Sequence, residues 1–291
     1  MEAPLNLKRR SALLLAVCSA LLLAACTGVV VHETRSEYSR IRVVDHGSQR
    51  ALYFVGDADL DVVETLIDLR QPHVLQHAYS RTAMAGLLYR PEPSSCLLIG
   101  LGGGAIVRFL NHHWPALALD VVEIDPEVVR VAREYFGTVE SPGTRIHVAD
   151  GREFLERSTA RYDLILIDAH LHPDARTDST GHPLSLRSDS FYRSVQDRLA
   201  PGGVVMFNMI AGRDSASYLE SLRGAFPAVD VYRPAGTGNM IVFASPRDPL
   251  ASEAELRARA RALDRRGGFG FAFADLPGAL TPSRAPDGSS R

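Results

Sequence analysis

The chain has 291 residues, 46% of them hydrophobic and 23% charged, with a formal net charge of −2 at pH 7. That balance is of a globular protein with one large domain and a small accessory piece. It gives no case for a nucleic-acid partner, since no basic patch alternates with aromatics, and three cysteines exclude a disulfide scaffold.

Residues 1–25 read as a lipoprotein-type signal peptide. Lys8, Arg9 and Arg10 form a positive start, Ser11 to Leu23 form an apolar run, and small residues precede Cys26. Leu23-Ala24-Ala25-Cys26 resembles the bacterial lipobox, so Cys26 is the expected lipidation site and first residue of the mature chain. A plain signal peptide or an uncleaved anchor is the alternative, although the run is short of the ~20 apolar residues that a span needs. Arg9-Arg10 with Leu13 is a partial twin-arginine pattern, which leaves the export route open. The expected location is the periplasmic face of a bacterial membrane, tethered through Cys26. Thr27 after the cysteine favours the outer membrane in a diderm source.

Residues 26–75 form a linker and a β-rich piece. Ile41–Val44 and Ala51–Val55 flank the turn signal Asp45-His46-Gly47 and predict a hairpin. Residues 76–247 then alternate. His77–Tyr89 has helical spacing and ends before Pro91. Strands are predicted at Leu97–Ile99, Ala118–Glu123, Arg145–Ala149, Leu164–Asp168 and Val204–Met209. Helices are predicted between and after them at Ala105–His112, Pro126–Phe136, Gly151–Arg157, Ser188–Leu199 and Ala216–Phe226. Strands Val229–Tyr232 and Met240–Ala244 close the series. Such alternation predicts an α/β fold, a Rossmann-like doubly wound sheet that is parallel or mostly parallel, with a small N-terminal β-hairpin domain. In residues 248–291 the capping box Ser252 to Glu255 opens a charged helix, and the Pro/Gly/Ser-rich tail from Ser283 is expected to be disordered.

Ligands of such sheets lie at the carboxyl ends of the strands. Four ends here carry suitable chemistry. After Cys96 to Ile99 come Gly100, Gly102 and Gly104, a loop whose backbone a ligand can approach. Glu123 ends the next strand, about twenty residues on, where a carboxylate accepts both ribose hydroxyls. Asp150-Gly151 is placed for an exocyclic amine, and Asp168 ends Tyr162 to Ile167. Each acid alone could be a helix cap; four in order point to a nucleoside site.

These segments resemble the spermidine synthase family, within the class I S-adenosylmethionine-dependent methyltransferase fold. The resemblance runs over Ile99 to Gly104, Val122 to Pro126, Val131 to Gly137, Asp150 to Phe154 and Tyr162 to Asp168, with Leu199 to Val204 and Tyr79 to Met84. It implies an aminopropyl or methyl transferase using decarboxylated S-adenosylmethionine or S-adenosylmethionine as donor and a small amine as acceptor, with no metal. It implies Asp168 as the base that deprotonates the amine. Gly100, Gly102, Gly103 and Gly104 would lie under the nucleoside, Glu123 at the ribose and Asp150 at the adenine, with Asp125 and Gly151 among the cofactor contacts. Tyr79 and His170 would touch the acceptor, and relatives that dimerise through the N-terminal region imply a homodimer.

The chain departs from spermidine-forming members at two places. They carry an acid where this chain has Gly103, and a second acid three residues beyond the base, where it has Leu171. Those acids pair with ammonium groups, which are costly to leave unpaired in a shielded site; the loop acids Asp174 and Asp178 are the candidate replacements. Asp168, His170, His172, Asp174 and His182 lie close in sequence, but no spacing fixes a metal geometry. Export of a protein whose donor is made in the cytosol favours a second function, an exported lipoprotein that binds a nucleoside or polyamine without catalysis. A tethered interaction module with a relic pocket is the third, and the retention of Glu123, Asp150 and Asp168 speaks against it.

Overall fold

The computed structural model describes residues 28–56, 61–171, 174, 176–246 and 250–281. Cys26 with the leader, His172, and the tail from Ser283 lie outside the described residues. Four antiparallel strands come first: β1 (Val29–Arg35), β2 (Arg40–His46), β3 (Gln49–Val55) and β4 (Asp61–Asp68), in spatial order β1-β2-β3-β4. The predicted hairpin is β2 and β3; the edge strands β1 and β4 are additions to it.

The second sheet has eight strands. They are β5 (Ser95–Ile99), β6 (Ala118–Glu123), β7 (Thr144–Val148), β8 (Tyr162–Ile167), β9 (Leu199–Ile210), β10 (Ala228–Tyr232), β11 (Asn239–Ser245) and β12 (Leu280–Thr281), in spatial order β12-β10-β11-β9-β8-β5-β6-β7. The run β9-β8-β5-β6-β7 is parallel, and β11, β10 and β12 join antiparallel. The expectation of a mostly parallel, doubly wound sheet therefore holds, with an antiparallel margin.

Helices cover both faces: α1 (Ala78–Ala83), α2 (Gly86–Tyr89), α3 (Ala105–His113), α4 (Pro126–Phe136), α5 (Gly151–Arg157), α6 (Asp189–Arg198), α7 (Ser215–Ala225) and α8 (Glu253–Asp264). The predicted helix His77–Tyr89 is two short helices, because the Met84 N–H turns back to Arg81 and Gly86 sits close against Phe243 and Leu164 of the sheet. Strand β5 shows the layering. Cys96 and Leu98 join one apolar core and Leu97 and Ile99 the other, so the strand is buried on both faces. Ile41, Val43, Leu52 and Ile67 of the N-terminal sheet belong to the first core, which fixes that sheet over the carboxyl ends of the parallel strands.

Candidate active site

Strand β5 lies between β8 and β6, and the helices that follow β5 and β8, α3 and α6, pack into opposite cores of the sheet. That is the topological switch point, where a crevice must open. A cavity of about 440 Å³ lies there, within the range of small-molecule sites. The ends of β5, β6, β7 and β8 form its floor, and Glu64 of β4 and Phe54 of β3 reach it from the N-terminal sheet. Tyr38 and Arg176 line it from two different segments, with the guanidinium 5.8 Å from the ring centroid. The N-terminal sheet and the loop after β8 thus meet across its mouth.

The glycine loop divides in two. Gly100 has φ +99°, and a Cβ on it would stand 2.0 Å from the Asp168 carbonyl oxygen, so only glycine lets the loop cross β8 there. Gly100 and Gly102 line the cavity. Gly103 and Gly104, expected under the nucleoside, do not. The Gly103 N–H donates to Thr65 Oγ1 at 2.8 Å, and a Cβ would meet Thr65 Cγ2 at 2.8 Å and Phe136 Cδ1 at 2.9 Å. Gly104 packs on Thr138 as the N-cap of α3. These two glycines pack the loop against Thr65, Phe136 and Thr138, outside the cavity lining.

The acids differ as sharply. Glu123 is buried; its Oε2 accepts from the Leu101 N–H and its Oε1 from the Asp125 N–H, each at 2.9 Å. A carboxylate has about four acceptor sites, so it retains capacity for two hydroxyls. Burial pushes its pKa up to about 7, against the pull of those backbone N–H groups. Asp150 caps α5 through Oδ1 alone, accepting from Arg152 at 2.8 Å and Glu153 at 3.1 Å; it lines the cavity with Gly151. The cap reading and the ligand reading of Asp150 are therefore compatible.

Asp125 is different. Its Oδ1 accepts from the Glu127 N–H at 2.9 Å, and its Oδ2 from Ser36 Oγ at 2.5 Å and Ser39 Oγ at 2.9 Å. It was expected as a cofactor contact, and it borders the cavity, but its carboxylate is committed to capping α4 and docking the β1–β2 turn.

Asp168 lies just past β8. Its Oδ1 accepts from Asn208 Nδ2 at 2.7 Å, and Asn208 Oδ1 accepts from Asn239 Nδ2 at 2.9 Å. Burial raises the Asp168 pKa above the usual carboxylate range, opposed first by the Asn208 bond, then by His170 and His77. His170 lines the cavity, and its Nε2 is buried without a partner among the described residues. Burial holds the His170 imidazole below its ordinary pKa. Tyr79 lines instead a smaller recess shared with His77, Glu64 and Asp168, its hydroxyl 3.5 Å from the Glu64 carbonyl oxygen.

The loop acids do not replace the missing ones. Asp174 pairs with Arg176 at 2.7 Å, and Asp178 pairs with Arg187 at 3.0 Å while bonding Thr180 and His182. Neither lines the cavity. Among the described residues no three His, Cys, Asp or Glu side chains are grouped to hold a metal. Sequence reasoning missed Glu64 and Asn208. An amide at the end of a buried apolar strand, Phe207-Asn208-Met209, is the signal that points to Asn208.

A model of the spermine/spermidine synthase domain matches residues 76–232. A polyamine aminopropyltransferase of Vibrio vulnificus is 31% identical over 242 residues, covering 80% of this chain and 77% of the relative. The human eEF1A lysine and N-terminal methyltransferase is 34% identical over 209 residues, covering 65% of this chain but only 29% of the relative's length. The crystal structure of human methyltransferase-like protein 13 in complex with SAH superposes with a TM-score of 0.61 at 29% identity, covering 67% of this chain and 96% of that one.

Proposed function

Because the chain belongs to the spermine/spermidine synthase family, we propose that it transfers an aminopropyl or methyl group from an adenosyl sulfonium to an amine. The observation that carries this reading is the placement of Glu123, Asp150 and Asp168 around one cavity at the switch point. Ile124, Val128 and Leu186 give that cavity an apolar wall for the base. Asp150 retains an unused oxygen for its exocyclic amine, and Glu123 retains acceptor sites for the ribose.

The reaction is a displacement. The amine gives a proton to Asp168, its lone pair attacks the carbon attached to sulfur, and the carbon–sulfur bond breaks with its electron pair going to sulfur. The raised pKa of Asp168 brings it closer to that of an amine, which favours proton transfer. Alignment of nitrogen, carbon and sulfur supplies most of the rate. Asn208 acts through Asp168 as a positioning residue. Both transferred groups fit this scheme; the relatives' names span both chemistries.

The test is incubation of the full chain with decarboxylated S-adenosylmethionine or S-adenosylmethionine and a panel of amines, with products read by mass spectrometry. A product mass increased by one aminopropyl or one methyl group supports transfer and names the group. Donor binding by calorimetry without any product favours the alternative, a nucleoside- or polyamine-binding lipoprotein.

We also propose tethering through Cys26, supported by the lipobox-like Leu23 to Cys26. No helix among the described residues is long and apolar enough to cross a membrane. Wild-type protein in the membrane fraction, released by Cys26→Ser, is the expected result; equal partitioning of both would sink the tether.

A further inference from the structure

Off the main cavity opens a recess of about 30 Å³, lined by Glu64, His77, Tyr79, Asp168 and the Gly100–Gly102 backbone. A water needs only ~10–15 Å³ of such space, so an ammonium group can enter. Besides the Tyr79 hydroxyl, which bonds Asp168, it offers acceptors. The Glu64 carboxylate has no hydrogen-bond donor among the described residues, and the charged groups acting on it are Asp168 and Glu123, both negative. His77 Nε2 is buried without a partner among the described residues, and burial lowers the pKa of that imidazole, which favours the neutral form that can accept. Asn208 donates to Oδ1 of Asp168 and the Tyr79 hydroxyl bonds the same carboxylate, which keeps acceptor capacity beyond these two. No Arg or Lys lines the recess.

Two carboxylates that line one recess disfavour each other's ionisation. A primary ammonium brings one positive charge and three N–H donors, against three acceptors at Glu64, His77 and Asp168. We propose that Glu64 and His77 are specificity-determining residues that, with Asp168, seat the primary ammonium of the acceptor before it is deprotonated. The proposal rests on the amine-transfer reading above. It also accounts for the two missing acids. Position 103 is walled by Thr65 and Phe136 and has no room for a side chain. Leu171 is apolar, so Glu64, next to Thr65 on β4, supplies the second negative charge. A tertiary ammonium brings one N–H donor where a primary ammonium brings three, which disfavours amines whose nitrogen already carries methyl groups.

Without a cation, burial and the two neighbouring carboxylates hold Glu64 at a pKa of about 8. An entering ammonium ionises it, and a proton leaves to the buffer. Calorimetric titration of the full chain with n-butylamine, at pH 7 in buffers of different ionisation enthalpy, reads both affinity and proton release. Wild type is expected to bind n-butylamine with release of a proton and to bind N,N-dimethylbutylamine at least tenfold more weakly. Glu64→Gln should weaken n-butylamine at least tenfold and abolish the buffer dependence, and His77→Phe should weaken it severalfold. His77→Phe, which does not touch the main cavity, should bind S-adenosylhomocysteine within twofold of wild type, which shows that cavity intact. Equal n-butylamine affinity in wild type and Glu64→Gln, or none in wild type, overturns the proposal. Failure of wild type to bind S-adenosylhomocysteine while it binds n-butylamine overturns the transfer reading instead and leaves the ammonium recess standing.

Discussion

Asn208 of β9 donates its side-chain amide to Asp168 Oδ1 at 2.7 Å, and is itself held by Asn239 of β11 at 2.9 Å. Asn208 is buried, so the bond operates in a shielded setting where it fixes one rotamer of the base. Asp168→Asn should abolish transfer while donor affinity stays within a fewfold. Asn208→Leu should act more subtly. A hydrogen bond to a charged group contributes about 1.5–3 kcal/mol, so turnover should fall by one to two orders of magnitude. Because that bond lowers the Asp168 pKa, its loss should also move the acidic limb of the rate profile to higher pH. Steady-state turnover measured across pH checks both effects; an unmoved limb would show that Asn208 does not act through the base.

Glu123 links the glycine loop to the end of β6 as well as facing the ligand. Glu123→Ala removes the acceptor for the Leu101 and Asp125 N–H groups, and unsatisfied buried donors cost about 1–3 kcal/mol each. The variant should melt earlier and bind S-adenosylhomocysteine more weakly by about 1.5–3 kcal/mol, the contribution of charge-assisted bonds to the ribose. Calorimetry and a melting curve separate the two losses. Unchanged affinity with a lowered Tm would put the ribose elsewhere.

The parallel strands were legible because burial on both faces leaves uninterrupted apolar runs, as in Cys96 to Ile99 and Leu164 to Ile167. Glu123 and Asp168 were legible because each closes such a run, whereas Asp150 follows the alternating strand β7 and was marked by the Gly151 beside it. Strand β4 was not. In Asp61-Val62-Val63-Glu64-Thr65-Leu66 two exposed valines sit side by side, and the β3–β4 pairing shifts register at Leu52 and Tyr53. The period-2 signal is lost there, and Glu64 with it. Asp125 reads equally well as a cap or a ligand. What decides between them is Ser36 and Ser39, far back along the chain, and no local pattern shows that contact.

Asp125 therefore gives a prediction opposite to that for Glu123. Its loss uncaps α4 and frees the hydroxyls of Ser36 and Ser39, so Asp125→Ala should cost about 2 kcal/mol of stability. Affinity for S-adenosylhomocysteine should stay within about twofold, once titration is done where the variant is folded. The urea midpoint and a calorimetric titration provide the check. A tenfold loss of affinity at near-normal stability would return Asp125 to the ligand contacts.

Stability should be highest between pH 4.5 and 6.5, and the sign on each side follows from different groups. Glu64 and Glu123 have folded pKa values of about 8 and about 7 against an ordinary 4.5. The unfolded chain gives up these protons first, so as pH rises the folded state becomes less favoured until each folded pKa is passed. His113 and His182 run the other way. Burial lowers them to about 4 and about 3 from 6.5, so the unfolded chain takes up protons first as pH falls below 6.5 and stability declines there. The two sets oppose each other between pH 4.5 and 6.5, but between 6.5 and 8 the two glutamates dominate. Tm should therefore fall from pH 6.5 to 8 in the wild type. Glu64→Gln, which cannot ionise, should flatten that fall and, with one glutamate fewer to oppose the histidines, show a steeper decline below 6.5. A wild-type Tm that rises across pH 6.5–8, or an equal slope in the variant, would mean that Glu64 is already ionised in the free protein and that its charge is satisfied by solvent.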